Sequence, residues 1–324
     1  MPYVKSSAKL DNDLSKNVAR LERDRVEAMR MRRRVSLFKR VGMVAREAPD
    51  NIKIQRAVKA EDLKAAYKLV HDVFVFQKYI VPQASGMRIR IYEALPEMAT
   101  FVAKVDGHVV GVMSLVPDSQ ELGLPSDRVF GKELNKLRQA GRKVGEVTNL
   151  AVSEEYCKSS VLLELSRCVC AHAMNIGLDD MFTAISPGHS GFFEMILQFE
   201  PWGVARNYST TGVDMVEGKR LDVNTIADSA KAADKLLGEH AFLYDWFVAN
   251  NPQIHGAAEA HTWAERAFKH VDVLKQLVGS SGELFRNCTP KQLQALQCRW
   301  GAAVYAKVFG PSEAKTAPAV CNNR

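Results

Sequence analysis

Nowhere in the 324 residues is there a run approaching the ~20 consecutive apolar residues that a membrane-spanning helix needs. The start offers no apolar segment with a cleavage site behind it, so no secretory signal is expected. Six cysteines are scattered at Cys157, Cys168, Cys170, Cys288, Cys298 and Cys321. Only Cys168 and Cys170 are close, and one intervening residue fits neither a zinc-ligand pair nor a redox-active pair. No metal site is expected, and reduced thiols in a cytoplasmic protein are the expectation. Internal repeats are absent. Glycine is missing from one telling place, the loop "SEEYCKSS" (153–160) that follows an apolar strand.

What is present is enough for a sizeable core. Hydrophobic residues make up 47% of the chain and charged residues 25%, as in soluble globular proteins. The length implies one large or two smaller units. The net charge of +7 is unevenly placed: residues 1–46 hold 13 Lys/Arg against 5 Asp/Glu, and the remainder is nearly neutral. Residues 10–45 have apolar positions spaced by threes and fours, which predicts a long basic helix. Its segment "RMRRRVSLFKR" (30–40) fits an acidic partner, an anionic membrane surface or a solvated face. Nucleic acid is disfavoured, because aromatic interleaving and any recognised motif are missing. "EAPDN" (47–51) then breaks the arm.

Beyond it, "IKIQRAV" alternates as a strand and residues 60–75 have helical spacing. "FVAKVDGHVVGVMSLVPD" reads as a hairpin turned at Asp106-Gly107, the strongest short-range hairpin signal. A basic helix (130–142), a strand (145–152), a helix closed by Gly177, a strand at "DDMFTAIS" and a short helix after "PGHSG" follow. "TTGVDMV" is expected as the last strand. The pattern is α/β (α+β) with a mixed sheet. From residue 222 the chain turns helical, with helices expected at 226–249, 257–278 and 290–309. The last begins at Thr289-Pro290, an N-cap followed by proline at the first helical position. The expected division is an arm (1–48), an α/β domain (49–221), a helical extension (222–310) and a tail (311–324).

"GEVTNLAVSEEY" (145–156) puts a carboxylate, Glu146, at the head of an otherwise apolar strand. Carboxylates are depleted inside strands and costly to bury. Glu146 is therefore either a base or the solvent end of the strand paired with a cation. Strand alternation predicts Thr148 and Leu150 on the same face.

Four blocks, "YKLVHDVFV" (67–75), "MATFVAKVDGHVVGVMSLVPDS" (98–119), "GLPSDRVFGKELNKLRQAGRKVGEVTNLAV" (123–152) and "SPGHSGFFEMILQFEPWG" (186–203), occur in order. Together they resemble the FeeM-type N-acyl amino acid synthases, a branch of the GNAT acyltransferase fold related to acyl-homoserine-lactone synthases. The resemblance covers roughly residues 52–220, about half the chain. It implies a GNAT-like mixed sheet flanked by helices. It also implies a bacterial lipid-biosynthetic reaction. A long-chain acyl group moves from a phosphopantetheine thioester on acyl carrier protein to the α-amino group of an amino acid, with no bound cofactor.

By the same resemblance Glu146 is the base and His189, in the Pro-x-His segment, a relay or pocket residue. Leu150, Ala151 and Val152 are candidates for the backbone N–H that faces the thioester oxygen. Phe74 is expected to line the acyl or core side. Phe193 stands where many relatives carry a tyrosine acid. Arg88, with Arg90 beside it, falls where an arginine fork would clamp the acceptor carboxylate. Arg32, Arg33 and Arg34 are the expected docking points for the acidic carrier protein, with peripheral membrane contact as the other use of the arm. In ordinary GNAT enzymes a glycine-rich loop cradles the coenzyme A pyrophosphate. The glycine-free, doubly acidic loop here favours carrier protein as donor. A coenzyme A-dependent transferase acting on another amine, and a catalytically silent acyl-ligand-binding module, are the alternatives.

Overall fold

In the computed structural model, the described residues are 51–208 without 158, 215–251 and 288–309, with Val271, Lys275, Leu277 and scattered positions between 16 and 36. The expected helix 257–278, the tail 311–324 and Arg34 lie wholly or mostly outside them. The described positions of the arm, Arg32 and Arg33 among them, are helical and exposed.

Among the described residues seven strands form one sheet: β1 (Lys53–Arg56), β2 (Ala99–Val105), β3 (His108–Pro117), β4 (Val144–Val152), β5 (Asp180–Ile185), β6 (Glu200–Asn207) and β7 (Met215–Asp222). Their order is β1-β2-β3-β4-β5-β7-β6. Only β4 and β5 run parallel, joined by the crossover helix between them. At the β2–β3 turn Asp106 and Gly107 both take positive φ, 50° and 84°, the conformation a two-residue hairpin turn demands. The sequence reading missed β6 and placed the last strand several residues early. β6 is mostly exposed and lacks apolar alternation, and it is held by pairing with β7.

Helices cover both faces. On one lie α1 (Ala60–Phe76), α2 (Asp127–Gln139), α6 (Pro290–Trp300) and α7 (Ala302–Phe309). On the other lie α3 (Val161–Asn175), α4 (Ser190–Met195) and α5 (Ile226–Leu237). Two expected long helices are each cut by a glycine at positive φ: Gly238 (58°) ends α5, and Gly301 (78°) separates α6 from α7. The Thr289 cap is present as expected, as a capping box with Gln292. The helical extension packs against the sheet on both sides: α5 joins the first core cluster, and Leu296 and Trp300 of α6 join the second. The Trp300 indole N–H donates to Ala94 O at 2.8 Å, and Arg299 pairs with Glu97 and Glu121.

Among the described residues no helix is long and apolar enough to cross a membrane. Cys157, Cys168, Cys170 and Cys288 are free thiols, whereas Cys298 is disulfide-bonded, which departs from the expectation of fully reduced cysteines.

Candidate active site

The site begins where β4 and β5 part. They pair only over Val144–Glu146 against Asp180–Phe182. Beyond that register the Thr183 hydroxyl, not a backbone amide, donates to Val147 O at 3.0 Å. Two parallel strands that separate towards their carboxyl ends leave a crevice lined by unpaired backbone groups, the usual ligand position in such sheets. Glu146 sits at the last paired position, at the apex of that crevice.

A bulge in β4 shapes the crevice further. Ser114 faces Thr148 and Val112 faces Ala151, so Asn149 and Leu150 together stand opposite Met113. Asn149 takes φ +54°, a left-handed conformation that asparagine tolerates better than most residues. The extra residue inverts the side-chain phase of the strand. Glu146, Thr148 and Asn149 point towards α1 and α2, while Leu150 and Val152 pack on the α3 side and Ala151 returns to the first face. This corrects the expectation from simple alternation that Leu150 shares the face of Glu146.

The face carrying Glu146 holds a run of buried polar groups. Tyr67 stands beside Thr100, Thr100 Oγ1 lies 3.0 Å from Ser114 Oγ, and Asn149 Nδ2 donates to Ser114 Oγ at 3.4 Å and to Glu93 Oε1 at 3.0 Å. Arg88 donates to Asn149 Oδ1 and lies with its guanidinium carbon 5.0 Å above the centre of the Phe74 ring. Arg90 pairs with the fully buried Glu93 at 2.7 Å and reaches Thr148 Oγ1 at 3.4 Å.

The two arginines therefore differ. Arg90 has a carboxylate partner. The Arg88 side chain, in a residue only 8% exposed, is held by a neutral amide and an aromatic face. Burial, followed by the nearby charge of Arg90, pulls the Arg88 pKa down to about 10.

Glu146 is 3% exposed. Ser126 donates to it twice: N–H to Oε2 at 2.8 Å and Oγ–H to Oε1 at 2.8 Å. Burial pushes its pKa up to about 7, against the opposing pull of the two Ser126 bonds and Arg90. A carboxylate half-ionised near neutrality is suited to taking a proton from an ammonium or amine. The Tyr208 phenol stands beside it. Its pKa is raised by burial first and by the Glu146 charge second, and its phenol donates to Pro125 O at 3.4 Å.

Sequence reasoning missed Ser126, Asn149 and Tyr208. Asn149 left a readable sign, since asparagine is rare inside strands and marks bulges. Tyr208 left none, because its approach depends on β6, which itself was not read.

The other expected site residues divide. Arg88, Phe74 and Thr148 meet Glu146's surroundings, and His189 stands after β5 at the start of α4, as expected. His189 is exposed in the turn Pro187–His189 beyond β5. Phe193 is buried in the opposite core, edge-on to Phe192 and Phe199. Leu150, Ala151 and Val152 lie along the half of β4 that β5 does not pair, with Ala151 and Val152 opposite Val112 and Gly111 of β3.

The loop 153–160 leads to the N-terminus of α3. Ser160 is 1% exposed, stands at the N-cap position without capping, and its Oγ, like Ser153 Oγ, is buried without a hydrogen-bond partner. Glu154 and Glu155 are exposed. A separate cavity of about 750 Å³ lies at the other end of β4, among Asp118, Asp127, Arg138 and Arg142. Its arginines are already paired with carboxylates.

Residues 65–217, a little under half of the chain, match the family model described as N-acyl amino acid synthase FeeM. Among solved structures, FeeM, an N-acyl amino acid synthase from uncultured soil microbes, is 22% identical with a TM-score of 0.49, over 55% of this chain and 93% of its own. BjaI, a CoA-dependent acyl-homoserine lactone synthase, is 17% identical with a TM-score of 0.43, over 58% of this chain and 88% of its own. A putative N-acetyltransferase from Lactobacillus plantarum is 14% identical with a TM-score of 0.39, over 54% and 99%. No curated protein matches the chain.

Proposed function

Taking residues 65–217 as an acyltransferase domain of the FeeM type, we propose that the protein moves a long-chain acyl group from an acyl carrier protein thioester to the α-amino group of an amino acid. The observation that carries this reading is Glu146, a buried carboxylate with a pKa near 7 at the apex of the β4/β5 crevice.

In the proposed reaction the thioester lies in the crevice with its carbonyl oxygen towards a backbone N–H of Leu150, Ala151 or Val152. The amine nitrogen attacks the carbonyl carbon, the new C–N bond forms, and the proton leaving nitrogen passes to Glu146. Collapse of the tetrahedral adduct breaks the C–S bond and releases the thiolate, which leaves readily because thiols are acidic relative to alcohols. Arg88, without a carboxylate partner among the described residues and presented by Phe74 and Asn149, receives the acceptor's carboxylate. Thr148 lines the same face. His189, at the far side of the crevice beyond β5, serves the passage of substrate or proton, and Phe193 backs the acyl side from the core.

The donor site favours a single phosphate. Ser153 and Ser160 carry buried hydroxyls without a partner among the described residues, and Ser160 stands at the start of α3, whose N-terminal N–H groups attract an anion. The loop has no glycine to bring more backbone N–H groups against a pyrophosphate, and Glu154 with Glu155 opposes a second charge. Arg32, Arg33 and Arg34, in the basic arm, steer the acidic carrier protein. The experiment is kcat/KM for one acyl group presented on carrier protein and on coenzyme A at matched salt. We expect a preference of about tenfold or more for carrier protein. Equal values, or a preference for coenzyme A, would overturn the donor assignment and favour the coenzyme A-dependent alternative.

A further inference from the structure

Ser126 directly precedes α2, where a serine ordinarily turns its hydroxyl back to cap the first N–H groups of the helix. It does not do so. Its hydroxyl and its own N–H are both directed at Glu146, twenty residues on, one to each carboxylate oxygen and each at 2.8 Å. Its carbonyl meanwhile accepts from Phe130 N at 2.8 Å and Val129 N at 3.0 Å, so the residue is tied to the rigid start of α2. Ser126 is fully buried.

A hydroxyl has one proton and two lone pairs, so donating to Glu146 leaves Ser126 Oγ free to accept. Tyr208 stands close by, with its phenol donating to Pro125 O at 3.4 Å. The Tyr208 carbonyl accepts from Arg128 of α2 at 2.6 Å, which locks the tyrosine to the same loop at a second point. The other charged or titratable groups that act on Glu146 are Arg88, Arg90 and Tyr92 on the segment after α1, and Asp127 on α2. Of all these, Ser126 alone among the described residues is hydrogen-bonded to the carboxylate.

We propose that Ser126, held from behind by Tyr208, is the positioning residue that orients the Glu146 carboxylate and sustains its ionised form in the buried crevice. This rests on the reading of Glu146 as the base. A neutral substitute at position 126 would leave the backbone N–H bond but lose the hydroxyl, so the carboxylate would hold its proton more tightly and turn more freely.

The test is a direct titration of the Glu146 side chain by ¹³C NMR in glutamate-labelled protein, with Glu146→Gln identifying the signal. In Ser126→Ala the midpoint should rise by about one pH unit, the scale of a lost hydrogen bond to a charged group. Ser126→Thr, which keeps the hydroxyl, should bring it back, and Tyr208→Phe should raise it by less. The acid limb of the pH–rate profile should move with the titration. A merely structural role would lower melting temperature and rate with the midpoint unmoved, and that result in Ser126→Ala overturns the proposal. Should Ser126→Ala not fold, an unmoved midpoint in Tyr208→Phe overturns it instead. Because the titration needs no turnover, a fully active Glu146→Gln would remove the base reading while leaving the midpoint result to be judged separately.

Discussion

Glu146 and Val147 are adjacent in sequence and opposite in surroundings. Val147 enters an interior of Phe101, Met113, Leu115, Leu165 and Met181, where nearly every side chain is apolar. Glu146 enters an interior in which Arg88, Glu93, Thr100, Ser114, Ser126 and Asn149 are all buried. One face of the sheet is built for cohesion. The other holds charges out of water, which is unfavourable unless each is bonded. Glu93 shows the structural form of that compensation: burial raises its pKa, but Arg90 more than offsets it and holds the carboxyl below its usual range. Among the described residues Glu146 has no direct cationic partner, and burial prevails. A buried carboxylate left near neutrality beside an incompletely paired arginine is what a proton-transfer site needs and a folding core avoids.

Substitutions on the two faces should therefore fail in different ways. The largest effect belongs to the apolar face: Leu165→Ala, at a fully buried position of α3, should cost about 2–5 kcal/mol in denaturant unfolding. The surviving folded fraction should keep its KM for both substrates, and a changed KM would blur the distinction between faces. On the polar face, Arg88→Ala should raise KM for an amino-acid acceptor by about tenfold or more while barely changing KM for the matching amine without a carboxylate. Equal losses for both acceptors would assign Arg88 to packing against Phe74. Smallest should be the effect of the arm. Replacing Arg32, Arg33 and Arg34 by alanine should raise KM for carrier protein by a few-fold at low salt and flatten its salt dependence. An unchanged salt dependence would detach the arm from donor capture.

Much of this contrast was legible beforehand, because periodicity reports burial. The hairpin at Asp106-Gly107, the crossover helix α3 and the acid at the head of β4 all follow from local pattern. What escaped depends on long-range geometry. The phase inversion at Asn149 comes from a one-residue mismatch with β3, which a single strand does not display. β6 carries no apolar alternation, so Tyr208 was invisible as a neighbour of Ser126. His189 was placed correctly after β5 at the start of α4 because its motif was recognisable, but its exposure there carries no sign in the sequence. The three residue steps from Phe182 to Ile185 alone span about 10 Å.

The most direct test of the account is amide formation by Glu146→Gln across pH. Glutamine preserves shape but cannot accept a proton. With a base whose pKa is about 7, wild-type turnover should rise as pH increases through neutrality and then level. Glu146→Gln should be slower by about 10²-fold or more at pH 7, and should recover as free amine becomes abundant at high pH. Equal turnover of the two proteins at neutral pH, with the same pH profile, would contradict the assignment of Glu146 as the base.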